Sequence, residues 1–348
     1  MRKTLQRMLM FAFSAVLLLA LIELVLRFYD FPSELAAYDR VFVGGTAVYL
    51  PSPHQEYTER WFLCQRPHKV VTNALGLRDR TEYASGGIKI AVLGDEPTFG
   101  AGVSFEETYA HNLEEALRGY LNRSDIEVIN MGMRLAGIRE EKTLLKERGL
   151  ALRPTMIILQ FSPNDVGEAK FDVFSSFYKE ASNTKVPLAL RKTALYVQFI
   201  RTKLSLLSLI KRQDRTALKE PLDAPDSFYA PRMPLFWQQA WDVYCAELEE
   251  LVDECRERGI VLGILVLPAR TQVADPARED IPQKALSRFA RARGVYFLDP
   301  LSFFRERFSK GKNDFYPGSE VLNADGQYAL STFLFDRVLN IIREEKLQ

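Results

Sequence analysis

The stretch Ile90-Ala91-Val92-Leu93-Gly94-Asp95-Glu96-Pro97-Thr98-Phe99-Gly100-Ala101-Gly102-Val103 constrains the fold more than any other part of the chain. An apolar run of strand type stops at Gly94-Asp95, passes through a glycine-rich turn, and leads into a helical pattern that begins near Phe105. A parallel strand delivers a side chain to a ligand crevice at its carboxyl end in this way. The side chain delivered here is that of Glu96.

Beyond that turn, short apolar runs alternate with longer amphipathic ones. They predict strands at 88–93, 126–130, 156–161, 260–267 and 295–298, and helices at about 105–121, 137–149, 236–258, 281–293 and 326–345. Such alternation implies an α/β layer fold with a parallel sheet and helices on both faces. The expected organisation is an N-terminal segment at 1–27, a connector at 28–87, and one α/β domain at 88–345. A helical insertion at about 168–234 interrupts the rhythm of that domain. Within it, residues 189–212 place Leu195, Tyr196, Phe199, Leu204 and Leu207 at helical spacing among Arg201, Lys211 and Arg212. This segment reads either as a cap packed on the domain or as a basic amphipathic helix facing the membrane surface or an envelope protein partner. An apolar content of 47% in 348 residues supplies an ample core. With 46 basic and 45 acidic residues the net charge is +1, and no global field points to nucleic acid.

The amino terminus is more specific. Arg2, Lys3 and Arg7 precede a nearly unbroken apolar run over residues 8–26. At about 1.5 Å per residue this run comes close to the roughly 30 Å of a bilayer's hydrocarbon core. A cleaved signal has a shorter apolar core and a small-residue cleavage site, so an uncleaved anchor is the expectation. The basic flank stays inside, which places the C-terminal domain outside the cytoplasmic membrane, periplasmic in a Gram-negative cell. Glu23, four residues before Arg27, reads as half of an interfacial ion pair. Cys245 and Cys255 fall about 15 Å apart on one predicted helix and cannot bridge each other, leaving Cys64 as a partner for one of them at most. No cysteine or histidine cluster has metal-ligand spacing, so neither a metal site nor a cofactor is expected.

Four motifs, each at a predicted strand end or helix start, carry a resemblance. They are Gly94-Asp95-x-x-Thr98-Phe99-Gly100, Asn130-Met131-Gly132, Asn164-Asp165, and Leu322-Asn323-Ala324-Asp325-Gly326-Gln327. The segment Thr72-Asn73-x-x-Gly76-x-Arg78-Asp79 precedes them. In this order they resemble the SGNH/GDSL-type hydrolases in their membrane-anchored, extracytoplasmic form, over roughly residues 65–345. The resemblance implies a flavodoxin-like three-layer sandwich. It also implies a serine nucleophile after the Gly-Asp, an Asp and a His just before the last helix, and an oxyanion hole built from a glycine N–H and an asparagine amide. A serine needs a neutral imidazole to take its proton, and the developing oxyanion needs fixed donors.

Carried over residue by residue, Gly132 and Asn164 match the oxyanion-hole positions and Asp95 the residue supporting the turn. Glu96 stands at the nucleophile position, Ser319 at the aspartate position and Val321 at the histidine position. The histidines are His54, His68 and His111, and none follows residue 111, so a shifted alignment does not recover the base. His111 reads as a helix packing residue, and His68 as a candidate base only if the Asn73 segment approaches the site. Ser104 and Ser162 read as turn or ligand contacts. Glu96 admits three readings: an internal anion held by backbone N–H groups and Asn164, an acid recognising sugar hydroxyls or an amine, or an acid/base pair with Asp95. The expected function is a pseudo-esterase that binds or scaffolds in the cell envelope, with a carbohydrate as candidate ligand. The rival expectation is an active carbohydrate O-acetyl esterase or acyl-transfer partner with a non-standard site.

Overall fold

The computed structural model describes residues 2–29, 38–43, 46–59, 68–79, 86–134, 136–171, 235–278, 280–311, 314–316 and 321–347, with a few single positions between 83 and 199. Ser319 and Cys64 lie outside the described residues, as does most of the insertion, including Arg201, Lys211 and Arg212.

The chain opens with helix α1 (Arg2–Tyr29), of which Gln6–Val25 is long and apolar enough to cross a membrane and is not buried inside the protein. Two antiparallel hairpins follow: β1 (Tyr38–Val43) with β2 (Thr46–Pro51), and β3 (Glu56–Glu59) with β4 (His68–Val71). The α/β domain then runs through β5 (Ile88–Gly94), α2 (Glu96–Phe99), α3 (Tyr109–Leu121), β6 (Ile126–Gly132), α4 (Ile138–Leu144), β7 (Met156–Phe161) and α5 (Asp165–Phe171). After the insertion come α6 (Leu235–Arg258), β8 (Val261–Val266), α7 (Arg270–Ala274), α8 (Ile281–Arg293), β9 (Tyr296–Leu298), α9 (Leu301–Ser309) and α10 (Ala324–Glu344).

Strands β5 to β9 form a parallel sheet in the order β6-β5-β7-β8-β9. Counted within the sheet this is 2-1-3-4-5, the flavodoxin-like doubly wound order. The five strands are those the apolar runs predict, because strands covered on both faces read as continuous hydrophobic sequence. Along β5, Ile90 and Val92 point to one face and pack with Leu113 and Leu117 of α3 and Phe333 and Leu334 of α10. Ala91 and Leu93 point to the other and pack with Tyr244 and Leu248 of α6 and Leu286 of α8. The period-two alternation of a strand therefore assigns each residue to one of two cores.

The connector is not a plain link. Leu50 and Leu77 join the core on the α6 side, and Val70 packs against the turn after β5. Asn73 organises the loop between: its Oδ1 accepts from the Leu75 and Leu77 N–H groups, and Thr72 Oγ1 donates to the Ser52 carbonyl. Arg148 clamps the same loop through the Pro51 and Leu75 carbonyls. Glu23 Oε2 accepts from the backbone N–H of Leu195 in the insertion, at 2.9 Å, and the side chain of Arg27, its expected partner, lies outside the described residues. Cys245 and Cys255 both lie on α6 as free thiols.

Candidate functional site

In a sheet ordered this way the chain reverses its winding direction between β5 and β7, and the crevice outside their carboxyl ends is where such folds place a ligand. Asp95 and Glu96 follow β5, and Ser162 and Asn164 follow β7. Tertiary structure thus gathers at one point two of the motifs that sequence order keeps almost 70 residues apart.

The turn is one tight helical turn, closed by hydrogen bonds from Phe99 N–H to the Asp95 carbonyl and from Gly100 N–H to the Glu96 carbonyl. Gly100 ends it in the left-handed conformation, with φ at 77°. That conformation costs an L residue with a Cβ roughly 1–2 kcal/mol. Gly132, at the end of β6, allows the turn to settle directly on the sheet: a Cβ there would lie 2.1 Å from the Phe99 nitrogen. The Gly132 N–H donates to Asn130 Oδ1 at 2.9 Å, so this glycine serves close packing, and its N–H is already engaged.

Arg78 fixes the turn from the connector side. Its guanidinium is buried, lies over the Phe99 ring at 4.9 Å, and donates to the carbonyls of Phe99, Gly100 and Val103. From the far end of the chain, Gln327 on α10 donates to the Pro97 carbonyl and accepts from the Tyr109 N–H. Asn323 caps α10 by accepting from the Gly326 N–H. The Leu322-to-Gln327 motif is therefore a capped helix start that anchors the turn.

A buried chain of hydrogen bonds converges on Asp95. Tyr109 OH meets Thr98 Oγ1 at 2.7 Å, and Thr98 donates to Gln160 Oε1. Gln160 Nε2 donates to Ser162 Oγ, which donates to Asp95 Oδ1 at 3.2 Å. Asn164 Nδ2 reaches Asp95 Oδ2 at 3.0 Å. Asn164 therefore donates to Asp95, the acid at the foot of the turn. Burial pushes the Asp95 carboxyl up to about 6 even though Asn164, Gln160 and Ser162 each pull it down. Glu141 of α4 is buried, its Oε1 has no hydrogen-bond partner among the described residues, and burial followed by the charge of Asp95 holds it well above the ordinary carboxylate range. The acid that Asp95 faces electrostatically is therefore Glu141. Sequence reading missed Glu141, Gln160 and Tyr109, because nothing in a helix or strand pattern distinguishes an inward polar residue at one strand end.

Glu96 is itself buried, and Asp95, Glu96 and Asn164 are each no more than 4% exposed. Val321 is also buried, in an apolar cluster with Val70, Phe99 and Ala101. His68 lies on β4 two residues from Val70, and His111 packs its ring on Phe105 at 4.9 Å. Ser104 caps the short 3-10 turn at Phe105–Glu107 through Glu107. Ser162 belongs to the chain around Asp95. Among the described residues no group of three His, Cys, Asp or Glu side chains is placed to hold a metal ion.

No family model matches the chain, and no curated protein matches its sequence. Among solved structures it is similar to the acetyl xylan esterase AlAXEase, at 14% identity over 72% of this chain and 100% of that one, with a TM-score of 0.45. It is similar to Axe2, an acetylxylan esterase from Geobacillus stearothermophilus, at 15% identity over 76% of this chain and 96% of that one, with a TM-score of 0.43. LAE5, an alpha/beta hydrolase enzyme from the metagenome of Lake Arreo, Spain, matches at 14% identity over 73% and 96%, again with a TM-score of 0.43. The strand order and the switch-point site rest on the geometry of this chain alone.

Proposed function

We propose that this chain is a membrane-anchored protein of the SGNH type that does not hydrolyse esters and serves as a binding or scaffolding component of the cell envelope. The observation that carries the reading is what stands at two positions, Glu96 and Val321. An acid occupies the nucleophile position, and the position aligned with the base is an apolar side chain packed against Phe99 and Ala101 of the same turn. A serine in that turn would meet no imidazole from the last helix, because no histidine follows His111. The buried acids Asp95 and Glu141 support an internal, structural role for the charge there. A membrane-spanning α1, oriented by Arg2, Lys3 and Arg7, puts the domain on the outer side of the cytoplasmic membrane. The link to polysaccharide rests on analogy with anchored proteins of this fold.

The test uses the full chain purified in detergent. The expected result is no turnover of small aryl esters and no labelling by a serine-directed phosphonate. Glu96→Ser alone stays inactive, whereas Glu96→Ser combined with Ser319→Asp and Val321→His gains weak esterase activity by restoring the three positions together. Turnover by the unaltered chain that disappears in Glu96→Gln or Asn164→Ala would refute the non-catalytic reading.

A further inference from the structure

The apolar span of α1 runs from Gln6 to Val25, and Glu23 lies two residues before its end. At about 1.5 Å per residue this is roughly 3 Å inside the boundary. A carboxylate at that depth is costly unless it finds a partner. Its Oε2 accepts from the Leu195 N–H, 2.9 Å away, and Leu195, Tyr196 and Phe199 are each helical in conformation. Thr193 Oγ1 accepts from the Tyr196 N–H, so Leu195 and Tyr196 each direct a backbone N–H to a side-chain oxygen. Phe199, one turn further on, is 62% exposed although it is a large apolar residue.

Depth in a bilayer passes from one group to its hydrogen-bonded partner. If α1 spans the membrane, whatever binds Glu23 sits at the outer edge of the hydrocarbon. We infer that Leu195, Tyr196 and Phe199 lie in the lipid headgroup layer beside the anchor, with Phe199 facing lipid, so that the insertion is a second membrane contact held at fixed depth by Glu23. The lipid interface is the favoured occupant because it is the surface that α1 itself occupies at this depth. Tyr196 also suits a boundary where tyrosine and tryptophan side chains concentrate. This inference rests on the membrane-anchor part of the proposed function and is independent of whether the domain is catalytic.

The experiment uses the full chain with Cys64, Cys245 and Cys255 replaced by serine. Phe199→Cys, or Lys310→Cys as an exposed control, carries a nitrobenzoxadiazole label in phosphatidylcholine/phosphatidylglycerol vesicles. Nitroxide lipids with shallow spin labels are expected to quench the label at 199 at least twofold more than those with deep ones, and to leave the label at 310 unchanged. Glu23→Leu removes the acceptor and should lower the quenching at 199 by about half, while Glu23→Gln, which keeps an acceptor oxygen, preserves it. A label at 199 that is as water-exposed as the one at 310, or shielded from water yet unquenched by lipid, would overturn the inference while the chain remains in the carbonate-washed membrane. Release of the chain by carbonate would instead overturn the anchor and the inference with it.

Discussion

Asp95 illustrates how one side chain can hold a site together at an energetic cost. It accepts from Ser162 and Asn164, yet burial outweighs both and raises its carboxyl from 3.8 to about 6. Between these values the folded state binds more protons than the unfolded state, so stability falls as pH rises through that window and levels off above it. At about 1.4 kcal/mol per pH unit the cost at neutral pH is roughly 3 kcal/mol. Glu141, raised in part by the charge of Asp95, adds a contribution of the same sign. Asp95→Asn removes one titrating group and relieves the other. Its urea-unfolding free energy, measured from pH 4 to 7, should therefore show a distinctly shallower fall than that of the parent chain. An unchanged slope would mean that Asp95 titrates normally.

The element that matters most is the short turn α2, and the sheet limits what can sit beneath it. Gly132 faces the Phe99 nitrogen so closely that no Cβ fits without moving backbone. Gly132→Ala is accordingly expected to cost roughly 3 kcal/mol or more, at or above the upper range for overpacking, because no flexible side chain is available to yield. Gly119→Ala on the open face of α3 provides the contrast: nothing lies within 4 Å of its added Cβ. There, the gain in helix propensity should stabilise by about 0.5–1 kcal/mol. Thermal unfolding of the two variants side by side checks both signs. Comparable loss in both would show that the turn does not rest on the sheet as described.

At the scale of the whole molecule, the connector holds the site as firmly as the domain does, through Arg78. Removing that guanidinium strips its donors from the Phe99 and Val103 carbonyls, each costing about 1–3 kcal/mol, while the Gly100 carbonyl keeps the Val103 N–H. Arg78→Met should therefore lose roughly 3–5 kcal/mol in denaturant unfolding, and Arg78→Lys should recover less than half of this because an ammonium lacks the planar fork. A near-neutral Arg78→Met would show that the turn does not depend on this guanidinium. The sequence by itself determined the five sheet strands, the main helices around them, the apolar span of α1 and the absence of any histidine after residue 111, all of which are local patterns or plain counts. Strand order, the packing of Val321 against Phe99, the capture of Asp95 by Ser162 and Asn164, the burial of Glu141 and the insertion of Arg78 into the turn were decided only by tertiary structure. Each depends on contacts between segments far apart in the chain. Hydrophobic periodicity shows that a face is buried, but not which distant residue buries it.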